Sequence, residues 1–278
     1  MIPTPSVPVR RTAWRDGRPS AGERVLPEEV PVAFTYGRTT YAVMLASPAD
    51  LVDFAVGFSL TEGVVSSPAE IEELEIVEQE QGIELRMSLL PEREAALTAR
   101  RRHLAGVSGC GLCGIESLAE AVRTPPPVPR GNFFNSDQIA AAIAELPAAQ
   151  PMNRATYAVH AAAFWTATDR LVACAEDVGR HNALDKLTGA MARMGADPGA
   201  GILLLSSRVS VEMVQKCAMT GIPVLVAVSS PTALAVRVAE MAGITLIGIA
   251  RDDGYEVFTD PGRIRPVDLL EEKVRHVA

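Results

Sequence analysis

The second half of the chain alternates strand-like and helix-like segments, and this pattern constrains the fold more than any other feature. Continuous apolar runs such as GILLLS, PVLVAV and ITLIGIA are separated by amphipathic segments. Such runs predict strands that are buried on both faces, and the segments between them predict the covering helices. We therefore predict an α/β domain with a mostly parallel sheet over residues 135–278.

Several elements of this domain have local signals. The segments YAVHAAAFW and RLVACAED predict two strands joined by the turn TATD, and the helix GRHNALDKLTGAMARMG follows them. The helix VSVEMVQKCAMT is predicted to end at Gly221. Ser230 and Pro231 are predicted to cap the helix TALAVRVAEMA, which should end at Gly243.

The first half of the chain predicts three further regions. Residues 1–24, rich in Pro and Arg, predict a mobile tail. Residues 25–104 predict a small α+β domain, in which β-rich segments flank the helix PADLVDFAVGFSLTEG. Residues 105–134 combine a cysteine loop with a linker, and the prolines between Pro125 and Pro129 favour an extended chain there. The acidic stretch AEIEELEIVEQEQ is interpreted as a solvated face.

Charge and hydropathy exclude several classes of protein. A net charge of −8 argues against non-specific binding to nucleic acid or to an acidic membrane. Arg10 and Arg11 are not followed by the apolar region of an export signal, and the longest apolar run is shorter than the ~20 residues of a membrane helix. We expect a cytoplasmic protein, in which cysteines are more often metal-binding, catalytic or buried than disulfide-bonded.

Polar side chains follow two of the predicted strands. The carboxyl ends of such strands bind ligands, and the first turn of the next helix favours an anion. The alternative is ordinary helix capping by Asp177 and by serine. The polar residues are Glu176, Asp177, Arg180, His181, Asn182, Asp185 and Lys186 at the first junction, and Ser206, Ser207, Arg208 and Ser210 at the second.

Other single residues have simpler interpretations. His160, within a predicted strand, is typical of a core histidine. Cys174 and Cys217 lie on apolar surfaces and are interpreted as small buried hydrophobes. Asp252-Asp253-Gly254 is compatible with a hairpin turn into YEVFT.

Cys110 and Cys113 form a Cys-x-x-Cys pair in GVSGCGLCG. A structural zinc site needs four ligands, and no second pair accompanies this one. A thioredoxin-like couple would begin a helix after a strand, whereas glycines surround these thiols. The glycines predict an accessible, flexible loop, and the preceding arginines would lower a nearby thiol pKa. These properties suit a thiol that relays a group between two partners.

Taken together, these segments resemble the formate dehydrogenase accessory sulfurtransferases, the FdhD family, from about residue 30 to residue 260. The most specific match is EDVGRHNALDK, supported by CGLCG, DFAVGFSLTEG, FNSDQI, VHAAAF, SRVS and TLIGIAR. The resemblance implies that a cysteine desulfurase passes sulfane sulfur to Cys110 as a persulfide, with Cys113 auxiliary. The sulfur then goes to a molybdenum (or tungsten) bis-guanine-dinucleotide cofactor before insertion into formate dehydrogenase.

The resemblance also implies a homodimer and a three-layer fold similar to the cytidine deaminases. The cofactor is a bound substrate whose guanine nucleotide is held by the large domain. In the family the segment after the last strand binds the cofactor, which here comprises Ile249, Ala250, Arg251, Asp252, Asp253 and Gly254. The further cofactor-binding candidates are His160, Asp177, Arg180, His181, Asn182, Lys186, Ser207, Arg208 and Ser210. Ser207 and Tyr157 replace glycines that are usual in the family, and Tyr157 is expected to narrow the pocket.

Two alternatives differ in class. A non-catalytic chaperone of formate dehydrogenase would bind the same cofactor without needing a thiolate. A zinc nucleobase deaminase would need His-x-Glu on one helix and Pro-Cys-x-x-Cys on the next. This chain has His181-Asn182-Ala183 and Arg208-Val209-Ser210 at those places, so we expect no intrinsic metal.

Overall fold

The computed structural model describes residues 2–104 and 125–266. Cys110 and Cys113 lie outside the described residues, as do the end of the predicted C-terminal domain and most of the cysteine loop. Within the described ranges the chain forms a hairpin, a four-stranded sheet and a six-stranded sheet.

The N-terminal segment is a hairpin, so the prediction of a mobile tail over residues 1–24 was wrong about its structure. Strand β1 (Ser6–Arg15) pairs antiparallel with β2 (Arg18–Pro27) along their whole length. Asp16 and Gly17 connect them with φ of 50° and 71°. An Asp-Gly pair with positive φ at both positions forms the tight turn that suits the twist of a hairpin.

The small sheet contains four strands in the order β4-β3-β6-β5. Helix α1 (Leu51–Thr61) is buried on nearly all sides, because one face packs on this sheet and the other on the larger domain. The acidic stretch forms the edge strand β5, with exposed glutamates. The strands are β3 (Val30–Tyr36), β4 (Thr39–Ala46), β5 (Ile71–Gln79) and β6 (Gly82–Leu89), and helix α2 (Pro91–Leu104) follows them.

The linker after residue 125 runs along the larger domain. The backbone N–H of Val128 donates to the carbonyl of Ala242. The guanidinium of Arg263, which is almost fully buried, donates to the carbonyls of Pro129 and Arg130. These bonds fix the place where the chain enters the α/β domain.

The large sheet has the strand order β12-β11-β10-β9-β7-β8. Only the pairs β9–β10 and β10–β11 are parallel, and the other three pairs are antiparallel, so the predicted mostly parallel sheet is in fact mixed. The strands are β7 (His160–Thr166), β8 (Arg170–Asp177), β9 (Gly201–Leu205), β10 (Val224–Ala227), β11 (Thr245–Arg251) and β12 (Gly254–Thr259).

Helices cover both faces of this sheet and give three layers. Leu203 and Leu205 pack toward α5, α6 and α7, whereas Ile202 and Leu204 pack toward α3. This alternation is expected of strands buried on both sides. The helices are α3 (Ser136–Glu145), α4 (Pro151–Thr156), α5 (Arg180–Met194), α6 (Val211–Thr220) and α7 (Ala233–Ala242). The likeness to cytidine deaminases stays a prediction.

The carboxyl ends of α6 and α7 lie where the sequence predicted them. Gly221 and Gly243 end α6 and α7 in the left-handed conformation, as predicted. The predicted cap of α7 was wrong, because the Thr232 side chain accepts the bond from the Ala235 N–H in place of Ser230. Among the described helices, none is both long and apolar enough to cross a bilayer.

Helices α1 and α5 join the two domains at very short range. A Cβ atom at Gly57 would overlap the Asp185 carbonyl, and one at Gly189 would overlap the Asp53 carbonyl. Both helices thus bring backbone against backbone, and this close approach leaves no room for side chains at the two glycines.

Candidate functional site

Five strand ends meet at one edge of the large sheet. Strands β8, β9, β10 and β11 finish there, and the antiparallel β7 begins there with His160. Backbone bonds connect the adjoining loops, from Val209 N–H to the Ser230 carbonyl and from Ile249 N–H to the Ser229 carbonyl. The predicted site residues therefore lie along one continuous edge.

Three of the predicted cofactor-binding residues are buried and bonded to protein. Lys186 has no exposed surface and forms a 2.6 Å ion pair with Asp177. Its Nζ also donates to the Ser47 carbonyl at 2.9 Å. Asp177 accepts from the Ser47 and Gly179 N–H groups and from the Asn182 amide, which donates as well to the Leu45 carbonyl. We use the name interdomain lock for Asp177, Asn182 and Lys186, because their contacts tie the end of β4 and Ser47 to the large domain. Their role in binding the cofactor stays a prediction.

A second buried polar network forms around Lys216 and Asp185, and the sequence did not predict it. Lys216 Nζ lies 2.9 Å from Asp185 Oδ1 and 2.9 Å from Glu62 Oε1, and Thr61 donates to Asp185. Burial lowers the pKa of Lys216, but the two carboxylates outweigh burial and hold that pKa above its usual value. Of the network's members only Asp185 was among the polar residues noted in the sequence, because the others come from the end of α1 and from α6.

Other polar residues of the two junctions also serve the fold. The Glu176 carboxylate accepts from the Met152 and Asn153 N–H groups at the start of α4. The Ser206 hydroxyl accepts from the Ala161 N–H, and the buried Ser207 donates to the Arg208 carbonyl. Serine at position 207 thus fits without a positive φ.

Arg180 and His181, in contrast, have polar atoms without partners. Arg180 Nε and His181 Nε2 are buried and make no hydrogen bond with any described residue. Burial lowers the pKa of His181 to about 4, and the charges of Arg180 and Lys216 add to this effect. Burial and the nearby Arg208 also lower the pKa of Arg180. His181 is therefore a neutral imidazole at neutral pH.

The start of α6 has the same property. Ser210 is the N-cap residue of α6, yet its hydroxyl makes no capping bond, and the buried Ser210 Oγ and Glu212 Oε2 lack partners among the described residues. Arg208, just before them, is exposed. Glu212 was absent from the sequence-based candidates, because a glutamate in a first helical turn is ordinary.

His160 and the segment after residue 248 complete the edge. Burial, followed by the charge of Arg180, lowers the pKa of the half-buried His160. Ile249 has φ of 53°, a strained value for a β-branched residue, at a register shift between β11 and β12. Ala250 is buried, whereas Arg251, Asp252, Asp253 and Gly254 are exposed in the hairpin turn that the sequence predicted.

The sequence also singled out Tyr157, Cys174 and Cys217. Tyr157 ends α4 in the left-handed conformation and is 77% exposed, with its ring near Arg24. Its ring therefore points to the hairpin, contrary to the expectation that it narrows a pocket. Burial raises the pKa of Cys174 to about 12, and burial also raises that of Cys217, so both are protonated thiols. Cys217 is buried as predicted, whereas Cys174 is only partly buried.

We use the name strand-end surface for His160, Arg180, His181, Arg208, Ser210, Glu212 and Ile249–Arg251. It combines three guanidinium groups and two helix N-termini, which favour anions, with two imidazoles, a hydroxyl and a carboxylate. Such a surface can bind a ligand that carries both phosphate and hydrogen-bond donors.

Comparison with known proteins gives concordant results. A family model described as the FdhD/NarQ family matches residues 27–265. A sulfur carrier protein FdhD of Agrobacterium fabrum is 54% identical over 257 residues, covering 92% of this chain and 95% of that protein. Its namesake in Cupriavidus necator is 48% identical over 252 residues, covering 91% and 88%.

A solved structure from Desulfotalea psychrophila has a similar fold. That protein is described as a formate dehydrogenase accessory protein. It is 25% identical with a TM-score of 0.74, over 94% of this chain and 99% of that chain. The family match includes both larger sheets and every described helix, so it covers the whole strand-end surface.

Proposed function

This chain belongs to the FdhD/NarQ family, and from that membership we propose that it is a persulfide-based sulfur carrier for formate dehydrogenase. Cys110 accepts sulfane sulfur from a cysteine desulfurase, with Cys113 in an auxiliary role. The sulfur is delivered to the molybdenum bis-guanine-dinucleotide cofactor, which is the bound substrate. The protein acts in the cytoplasm as a homodimer, without nucleic acid or membrane as partner.

The structural observation that carries the proposal is the set of buried polar atoms on the strand-end surface that have no partner in the part of the chain that the structure describes. An unmade hydrogen bond at a buried group costs about 1–3 kcal/mol. Four such atoms, on Arg180, His181, Ser210 and Glu212, lie in two adjoining helix starts. A ligand with phosphate and polar ring atoms would satisfy them, and a guanine dinucleotide has both.

The thiol chemistry is supported by the sequence. In loading, the Cys110 thiolate attacks the outer sulfur of the desulfurase persulfide, a new S–S bond forms, and the desulfurase thiolate leaves. The arginines before Cys110 favour the thiolate that this attack requires. Cys174 and Cys217 do not suit this role because their raised pKa values keep them protonated.

The proposal is tested by the intact mass of the protein after incubation with a cysteine desulfurase and cysteine. Wild type should gain one sulfur atom in a form that dithiothreitol removes, and Cys110→Ala should not. Cys174→Ala is the matched control and should load normally. Cys113→Ala should still load sulfur on Cys110 and should retain part of the ability to support formate dehydrogenase.

The rival chaperone function is separated by the same variant in cells. Cys110→Ala should fold and bind GDP but fail to support formate dehydrogenase in a strain that lacks the native gene. Full formate dehydrogenase activity with Cys110→Ala would make the thiol dispensable and leave cofactor binding as the function. Both proposals place the cofactor's nucleotide on the strand-end surface.

A further inference from the structure

Glu212 is an unusual residue for a surface that binds phosphate. It is the second residue of α6, and its Oε2 is buried without a partner among the described residues. The Ser210 hydroxyl, on a residue that is only 9% exposed, lies near this carboxyl and makes no capping bond. A buried carboxylate oxygen without a partner among the described residues indicates a ligand that donates a hydrogen bond there.

The charge state of Glu212 narrows the ligand chemistry. Burial raises the pKa of its carboxyl, but the nearby Ser210 hydroxyl, the backbone N–H of Glu212 itself and the charge of Arg180 outweigh burial and bring that pKa below its usual value. An ionised carboxylate only accepts hydrogen bonds. It also repels phosphate, so its partner is a part of the ligand that is rich in N–H donors.

We propose that Glu212 determines the specificity of the strand-end surface for a 2-amino-4-oxopyrimidine edge. This edge presents a ring N–H beside an exocyclic amino group, and it occurs both in guanine and in pterin. Adenine, cytosine and uracil each place an acceptor beside their donor on the corresponding edge and cannot bind both carboxylate oxygens. The neutral His181 can donate from Nε2 to the adjacent oxo group when that nitrogen carries the proton. The inference rests on the proposed function and adds the part of the substrate that Glu212 recognises.

Calorimetry on the full chain can test this with pairs of ligands that differ in one group. GDP and inosine diphosphate differ only in the exocyclic amino group of the base, which inosine lacks. Pterin and lumazine differ at the equivalent carbon, where pterin has an amino group and lumazine has an oxo group. Wild type should bind the amino-bearing member of at least one pair about tenfold to a hundredfold more tightly, the usual effect of a hydrogen bond to a charged group. The pair that shows the preference identifies whether guanine or pterin is the source.

Glu212→Gln should abolish that preference, because the carboxamide keeps the volume but replaces one acceptor with a donor. Glu240→Gln, on the exposed side of α7, is the matched control and should keep the preference. Thermal unfolding of both variants checks that each is folded. If the variant weakens both members of a pair equally, Glu212 contacts a shared group and the inference is wrong.

The outcomes also separate this inference from the proposed function. Wild type that binds GDP and inosine diphosphate equally, and pterin and lumazine equally, would overturn the role of Glu212 but leave nucleotide binding intact. Wild type that binds none of the four would overturn both the inference and the placement of the nucleotide on the strand-end surface.

Discussion

The first three turns of α5 contain two kinds of polar residue that behave in opposite ways. Asp185 and Lys186 are buried with every charge paired to another element. Arg180 and His181, only one turn earlier, have buried nitrogen atoms with no partner among the described residues. The paired residues hold α1 and the small sheet on the large domain, whereas the proposed function assigns the other two to ligand binding. Polar residues within one sequence motif can therefore be there for two separate reasons, to hold the domains together or to bind a ligand.

The largest expected effect comes from breaking the paired side. Lys186→Met leaves the Asp177 carboxylate buried and uncompensated, which should lower the free energy of unfolding by about 3–5 kcal/mol. Denaturant unfolding followed by circular dichroism measures this loss. The double variant Asp177→Asn with Lys186→Met should recover much of it, because no isolated charge remains.

An exposed ion pair supplies the control for that prediction. Arg193 of α5 and Asp53 of α1 form an ion pair that is partly solvated. Arg193→Met should change stability little, because exposed pairs contribute little. Equal losses for Lys186→Met and Arg193→Met would show that burial of the lock is not what matters.

The next effect tests the close approach of helices α1 and α5. Gly57→Ala places a methyl group against the Asp185 carbonyl and should cost about 3 kcal/mol through forced separation of α1 and α5. Gly195→Ala, at the left-handed end of α5 with open space around it, should cost only about 1 kcal/mol. Thermal unfolding of the two variants ranks them, and the reverse ranking would contradict the proposed contact.

Substitutions at Arg180 and Arg208 should lower the affinity for GDP and leave the free energy of unfolding nearly unchanged. Arg180→Gln and Arg208→Ala should each weaken GDP binding roughly tenfold to a hundredfold, since each removes a charge-assisted bond of about 1.5–3 kcal/mol. Their unfolding free energies should stay close to wild type. Arg237→Gln, exposed on α7, is the control for charge alone. Unchanged GDP affinity in either variant would show that the substituted arginine does not contact the nucleotide.

The effect that is smallest near neutral pH is a pH dependence that originates in His181. Its pKa is lowered to about 4 in the folded protein, against about 6.5 in an unfolded chain. Between these values the unfolded state binds the extra proton, so stability falls as the pH drops from 6.5 toward 4. The slope from this group is at most about 1.4 kcal/mol per pH unit, and it vanishes above pH 6.5.

Urea unfolding at several pH values measures that slope. His181→Asn should flatten the curve between pH 6 and pH 4.5 relative to wild type, because it removes the group that takes up the proton. Carboxylates and His160 titrate in both proteins, so the difference between the two curves isolates His181. Parallel curves would mean that the imidazole is not held neutral by its surroundings.

The local sequence determined the order of the elements and several of their ends. Periodicity located the strands from His160 to Arg251 and the helices between them, and Gly221 and Gly243 marked two helix ends. It also brought His160, Arg180, His181 and Arg208 to one edge, because the ends of neighbouring strands meet there. The Asp-Gly turn of the hairpin was present as a signal, but the surrounding prolines and arginines obscured it.

Only the tertiary structure decided which polar residues are paired. Lys186 and Ser47 are 139 residues apart, so no local pattern shows that the Ser47 carbonyl binds the lysine. The same is true of Lys216 and Thr61. It is also true of Glu212, because only the positions of the described residues show that none of them pairs with its Oε2. The direction of strand pairing and the burial of α1 on both sides also depend on contacts between distant segments. Local sequence fixes backbone preference and polarity, whereas pairing and burial depend on which distant atoms occupy the space around a side chain.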